Sequence, residues 1–159
     1  MKIMKLRVID VKELLDQVSH WAPFLIVAYS VVVFAATQSP FNYTLEPAQI
    51  FQRSEPVEWL PFSYLPPCGF DLGMKALNLA MLIPFGFLLA LRIRTSRSSV
   101  ETIWTVGLLA ALFSLGIEAA QFFLPSRQPS ATDLVLNSVG GMVGAWLSVA
   151  LQSRSGYRE

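Results

Sequence analysis

Four apolar stretches separated by polar segments dominate the pattern along the chain. They cover residues 21–38, 72–91, 100–124 and 133–151, and most charged residues lie outside them. A hydrocarbon core about 30 Å thick needs roughly 20 helical residues at 1.5 Å each, so every stretch is about long enough to cross a bilayer. A soluble four-helix bundle would need polar outer faces at helical period, whereas these stretches are apolar nearly all round. The pattern predicts an all-α integral membrane bundle of four transmembrane helices.

Two segments outside these spans have patterns of their own. Residues 1–20 interleave apolar positions with charges, which predicts an amphipathic interfacial helix; the alternative, a cleaved signal peptide, would have an unusually long charged leader. Residues 39–71 form a long loop with six prolines, so they cannot be one helix. The loop is also rich in aromatic residues, which settle at headgroup level, and we expect it to lie against the outer interface, more simply as a connector than as a lid.

Basic residues fall mainly on one side of the predicted spans. That side holds Lys2, Lys5, Arg7, Lys12, Arg92, Arg94, Arg97, Arg154 and Arg158. The other side holds only Arg53 and Arg127, with Lys75 at the border. Because basic residues are retained on the cytoplasmic side, this bias predicts a multi-pass protein with both termini in the cytoplasm.

Composition narrows the classes of function. The chain has 159 residues, 53% of them apolar and 14% charged, which fits a single membrane domain over residues 1–159. The formal net charge is +1 with no basic tract, so nucleic acid is not an expected partner. Cys68 is the only cysteine, which excludes an intrachain disulfide and a thiolate metal cluster. No spacing typical of metal ligands is present, and we expect neither a metal nor a cofactor.

Polar residues inside the spans carry the candidate chemistry. An ionised side chain at mid-bilayer costs roughly 2.5 to 3.5 kcal/mol on insertion scales, so Glu118 needs a reason to be there. Helical spacing places Ser114 and Gln121 on the same face of the third span as Glu118. Other helices and the last loop contribute polar groups at a similar depth. The predicted binding residues are Asn78, Glu118, Gln121, Arg127, Asp133 and Asn137, with Glu118 the candidate for any catalytic role.

Structural interpretations of the same residues stay open. Ser130 and Asp133 fit a capping box at the start of the fourth helix. Asn78 and Asn137 fit hydrogen bonds between helices, and Glu118 with Arg127 fits a buried ion pair.

Two motifs resemble a known family. SLGIEAAQFFLPSRQPSATDLVLNSVGGMVG over residues 114–144 and NLAMLIPFGFLL over residues 78–89 resemble the VanZ-like family of bacterial membrane proteins. The family's characteristic positions correspond to Asn78, Pro84, Gly86, Glu118, Gln121, Arg127, Asp133, Asn137 and Gly140. Many members have an acidic residue where this chain has Ser130, which weakens any scheme with two acids or a metal.

The resemblance implies a cellular location and a general biological role, but not a mechanism. It implies the bacterial cytoplasmic (inner) membrane and an envelope role, such as glycopeptide (teicoplanin-type) resistance or exopolysaccharide biogenesis. It brings no established reaction with it.

Three functions remain as hypotheses. The first is binding or remodelling the headgroup of an envelope lipid or lipid-linked glycan, with Arg127 contacting phosphate. The second is an intramembrane enzyme in which Glu118 acts as general acid or base and Arg127 stabilises an anion. The third is an assembly subunit that docks another membrane protein through Gly140 and Gly144. A transporter would need a homo-oligomer, because four spans leave little room for an internal repeat.

Overall fold

The computed structural model describes residues 10–52, 57–63, 69–93 and 98–156. Its helices are α1 (Val11–Gln38), α2 (Pro47–Phe51), α3 (Gly69–Met81), α4 (Ile83–Ile93), α5 (Ser99–Gln121) and α6 (Ala131–Arg154). Over these ranges the chain is all-helical, and its only β-type pairing is an isolated parallel bridge between Glu58 and Ser130. Four helical segments are long and apolar enough to cross a membrane: Val11–Gln38, Leu72–Ile93, Ser99–Gln121 and Ala131–Arg154. A long apolar helical segment that could cross a membrane is therefore present at each of the four predicted spans.

Helix α1 begins well before the first predicted span. Asp10 caps it by accepting a hydrogen bond from the Lys12 N–H at 3.0 Å. With 28 residues the helix is about 42 Å long, which exceeds a hydrocarbon core of about 30 Å. Residues 11–20 are thus continuous with the span, and residues 1–9 lie outside the described residues. The interfacial placement of the N-terminal segment stays a prediction.

The second span is broken into two helices. Helix α3 ends at Met81 and α4 begins at Ile83, with Leu82 between them in a turn. Pro84 accounts for the position of the break, because proline lacks an N–H for the helical hydrogen bond and disfavours helical geometry in the residue before it. Tyr29 of α1 donates a hydrogen bond to the Met81 carbonyl at 2.7 Å, which satisfies one acceptor at the break.

The four long segments alternate in direction. Gln121 at the end of α5 bonds to Thr37 at the end of α1, while Lys12 at the start of α1 bonds to Gly156 just after α6. Helices α1 and α5 end, and α3 and α6 begin, at the same end of the bundle. This end holds both long connections, from α1 to α3 and from α5 to α6. We call it the loop end.

Helix α6 lies at the centre of the bundle, against α3, α4 and α5. Its glycines allow backbones to touch: a Cβ on Gly144 would lie 2.0 Å from the Ile83 carbonyl oxygen, and one on Gly140 would lie 2.0 Å from that of Leu79. A Cβ on Gly86 of α4 would similarly overlap Gly141. Small residues that permit close approach are a common means of helix association in membranes.

Side chains between the helices form the apolar core, and large apolar side chains cover the outside. Val33, Leu82, Phe85, Ala110 and Ile117 form one buried cluster from α1, the α3–α4 break, α4 and α5. Trp21, Phe24 and Val27 on α1 and Trp104, Leu108 and Leu112 on α5 are exposed. An exposed apolar surface of this kind fits contact with lipid acyl chains.

We predict that Gly144→Ala destabilises the bundle. The added methyl group would overlap the Ile83 carbonyl, and overpacking of this kind costs about 1 to 3 kcal/mol. Thermal unfolding in detergent, followed by circular dichroism, measures the change. Gly116→Ala is the matched control, because nothing lies within 4 Å of a Cβ there and alanine is the better helix former. Equal melting temperatures for the two variants would contradict the close packing.

Candidate functional site

Ser130 lies at the centre of a polar cluster at the loop end. Its N–H donates to Glu118 Oε2 at 2.8 Å, and its hydroxyl donates to a Glu58 carboxylate oxygen. The same Oγ accepts from Lys75 Nζ and from the Asp133 N–H, each at 3.2 Å. The last bond caps α6 and confirms the serine half of the predicted capping box. We call this set the Ser130 cluster: Glu58, Lys75, Glu118, Ser130, Thr132 and Asp133.

Glu58 joins the long loop to the start of α6. Its N–H donates to the Pro129 carbonyl at 3.0 Å, and its own carbonyl accepts from the Ala131 N–H at 2.8 Å. Its side chain is only 3% exposed and also accepts from Thr132 Oγ1 at 2.7 Å. Sequence reasoning missed Glu58, since a single acid in a proline-rich loop has no periodic pattern. The sequence feature that could have identified Glu58 is an acidic residue among aromatic neighbours.

Lys75 is the cation of the Ser130 cluster. Its Nζ lies 2.7 Å from Asp133 Oδ1 and 3.8 Å from Glu58 Oε2, and the Lys75 and Asp133 side chains are 16% and 21% exposed. Asp133 therefore forms an ion pair between α3 and α6 in addition to its place in the first turn of α6. Lys75 was also missed as a site residue, since the sequence placed it at the border of the second span but gave no indication of its carboxylate partners.

Arg127 and Gln121 serve a different contact. Nε and Nη2 of Arg127 donate to the Ser39 carbonyl at 2.8 and 2.5 Å, and Gln121 Nε2 donates to the Thr37 carbonyl at 3.0 Å. Both side chains thus hold the connection after α5 against the end of α1. Within the described residues Arg127 makes no ion pair with Glu118, so the alternative of a buried Glu118–Arg127 pair is not what this geometry shows.

Asn137 lies one helical turn further along α6 than Asp133. Its Nδ2 donates to Ser114 Oγ of α5 at 2.8 Å, a contact between the polar faces that helical spacing indicated. The residue is 2% exposed, and its buried Oδ1 has no hydrogen-bond partner among the described residues. Asn78, on α3, is partly buried and makes no side-chain hydrogen bond to the described part of the chain.

Of the predicted site residues, the structure brings Glu118 and Asp133 together through Ser130. Asn137 lies in the layer beneath them. Gln121 and Arg127 bind backbone carbonyls of the α1 end, and Asn78 remains apart from these contacts.

Four helical segments able to cross a membrane, with a polar cluster at one end, define a multi-pass membrane protein. The family model for VanZ/LLP1 matches residues 21–152, and the chain belongs to this family. The matched range contains all residues of the Ser130 cluster, and the resemblance carried by residues 78–89 and 114–144 is confirmed. No curated protein and no solved structure matches the chain.

We predict that Lys75→Met destabilises the protein by about 3 kcal/mol, because removing one partner leaves the Glu58 and Asp133 carboxylates uncompensated in a largely buried position. Denaturation in mixed micelles measures the free energy of unfolding. Lys12→Met is the control, since Lys12 is exposed and its Nζ donates to the exposed Gly156 carbonyl, and a surface change of this type alters stability by at most about 0.5 kcal/mol.

A double variant tests whether the loss is electrostatic. Lys75→Met combined with Glu58→Gln should recover part of the stability lost in Lys75→Met, because fewer buried charges remain unpaired. Strictly additive losses in the two single variants would show that Lys75 and Glu58 act independently.

Proposed function

We propose that this protein binds the polar headgroup of an envelope lipid or lipid-linked glycan at the outer face of the bacterial cytoplasmic membrane. One observation carries the proposal: the Ser130 cluster assembles charged and hydroxyl groups from a loop and three helices, at the end of the bundle where spans meet loops. Lys75 and Asp133 keep part of their side chains accessible there. The cluster is thus built by the fold and keeps one partly exposed ion pair, Lys75 with Asp133, for contact with a headgroup.

The orientation follows from the distribution of basic residues. Arg127 and Lys75 are the basic residues described at the loop end, whereas Lys12, Arg92 and Arg154 lie at the other end. The positive-inside rule then places the loop end outside and both termini in the cytoplasm. On this assignment the Ser130 cluster lies at the depth of outer-leaflet headgroups.

The chemistry of the cluster suits a headgroup with both charged and hydroxyl groups. The ammonium of Lys75 can contact a phosphate oxygen, and carboxylate oxygens such as those of Asp133 accept hydrogen bonds from sugar hydroxyls. Arg127 supports this role indirectly. Its guanidinium binds the Ser39 carbonyl at the end of α1 and so fixes the connection between α5 and α6 that leads to Ser130, instead of facing the ligand. Such binding fits the teicoplanin-resistance and exopolysaccharide settings that the family resemblance implies.

An enzyme is the weaker candidate. Ser130 lies beside Lys75 and Glu58, as a nucleophile and base would, but its hydroxyl is buried and already donates one hydrogen bond and accepts two. A hydroxyl with all these contacts is suited to hold the cluster together. Attack on a substrate would require breaking the α6 cap first.

A docking subunit is also disfavoured as the main role. Gly140 and Gly144, the residues expected to contact a partner, pack against the Leu79 and Ile83 carbonyls of their own chain. The face that would recognise another helix is therefore already occupied within one molecule.

Lipid retention tests the proposal. We predict that Asp133→Asn lowers the amount of headgroup-specific lipid retained in native mass spectrometry at least tenfold, because the accessible carboxylate of the Lys75 pair is lost. Glu46→Gln is the matched control, an exposed glutamate on the same side of the bundle, outside the cluster. The same lipids retained in the same amounts by wild type and Asp133→Asn would refute headgroup binding at this cluster.

A further inference from the structure

The charges of the Ser130 cluster do not balance among the described residues. Lys75 is shared between the Asp133 and Glu58 carboxylates. Glu118, a third carboxylate, accepts a hydrogen bond through Oε2 from the Ser130 N–H, and no described cation lies within ion-pair distance of it. A carboxylate inside a membrane span is costly without a compensating charge. Among the described residues Glu118 is therefore the carboxylate of the cluster that has no cation at ion-pair distance.

A second, independent observation lies one layer deeper. Ser114 precedes Glu118 by one turn on α5, and Asn137 follows Asp133 by one turn on α6. The hydrogen bond between Ser114 and Asn137 thus lies about one helical turn deeper in the bundle than Glu118 and Asp133. Asn137 Oδ1 is buried and accepts no hydrogen bond from the described residues. Buried acceptors in folded proteins are nearly always paired, so an added donor would complete the hydrogen bonding of this oxygen.

We propose that Glu118 and Asn137 bind the primary ammonium group of a lipid headgroup, in an inference that rests on the proposed function and specifies its ligand. An ammonium has a positive charge to pair with Glu118 and three N–H donors, the type of group that an amide oxygen such as Asn137 Oδ1 accepts from. A quaternary ammonium has the charge but no N–H, and a phosphate would add to the negative charge already present.

The surroundings of Glu118 favour a lipid as the source of the amine. Leu115 and Ala119, which flank Glu118 on α5, are exposed, and nothing lies within 4 Å of a Cβ at Gly116. The surface beside the carboxylate therefore faces the bilayer. Glu118 is one turn from the end of α5, a depth that a headgroup amine reaches from the membrane interface.

The test uses the wild-type protein and lipids that differ only in the headgroup. Phosphatidylethanolamine, phosphatidylcholine and phosphatidylglycerol with identical acyl chains are offered in equal amounts in nanodiscs, and retained lipid is counted by native mass spectrometry. We expect phosphatidylethanolamine to be retained at least tenfold over the other two. In Glu118→Gln the preference should fall below twofold, while Glu46→Gln keeps it. The glutamine can still accept from the Ser130 N–H, so the fold is preserved.

Other outcomes overturn the inference in distinguishable ways. Equal retention of the three lipids, or a preference for phosphatidylglycerol, refutes the ammonium site, whereas headgroup binding itself stands if Asp133→Asn still abolishes retention. Selectivity unchanged in Glu118→Gln refutes the assigned residue. A rise in melting temperature with free ethanolamine equal to that with phosphatidylethanolamine refutes the lipid source. A melting temperature that is higher in sodium chloride than in choline chloride, with the difference lost in Glu118→Gln, would show that the site binds a metal ion instead of an ammonium.

Discussion

The bond between the long loop and the first turn of α6 is the constraint on which the cluster depends. Glu58 pairs with this turn through both backbone and side chain, which fixes Ser130 at the helix start. Ser130 in turn holds Glu118 of α5 and contacts Lys75 of α3. Because an N-terminal turn leaves several N–H groups without helical partners, the start of α6 is well suited to collect acidic side chains. One helix end thus organises three spans and a loop.

Much of the fold could be predicted from the sequence, because few backbone structures are stable across a bilayer. Length and apolar content indicated the four spans, and helical spacing placed Ser114 and Asn137 on facing polar sides, where they now form a hydrogen bond. The break at Leu82 was not anticipated, although Pro84 was recognised as characteristic. A proline within an apolar stretch is compatible with a kink, a break or a continuous helix, and the neighbouring helices decide which forms.

The site was harder to predict from the sequence, because several of its contacts involve loop residues or backbone groups that follow no periodic pattern. The period of α5 drew attention to Glu118, but Glu58 acts through a loop whose pairing with residue 130 depends on tertiary structure. Arg127 was expected either to contact a phosphate or to pair with Glu118, and in the structure it donates to the Ser39 carbonyl. Any residue offers a backbone carbonyl, so no sequence feature distinguishes that acceptor. Lys75 was noted only for its position along the span.

The division of the second span into α3 and α4 has a mechanical consequence. Helix α6 touches the backbone on both sides of the break, with Gly140 against Leu79 in α3 and Gly144 against Ile83 in α4. Helix α6 therefore supports both half-helices, because α3 and α4 cannot bend about Leu82 without one of them separating from α6. Two glycines one turn apart on α6 thus constrain the angle between α3 and α4.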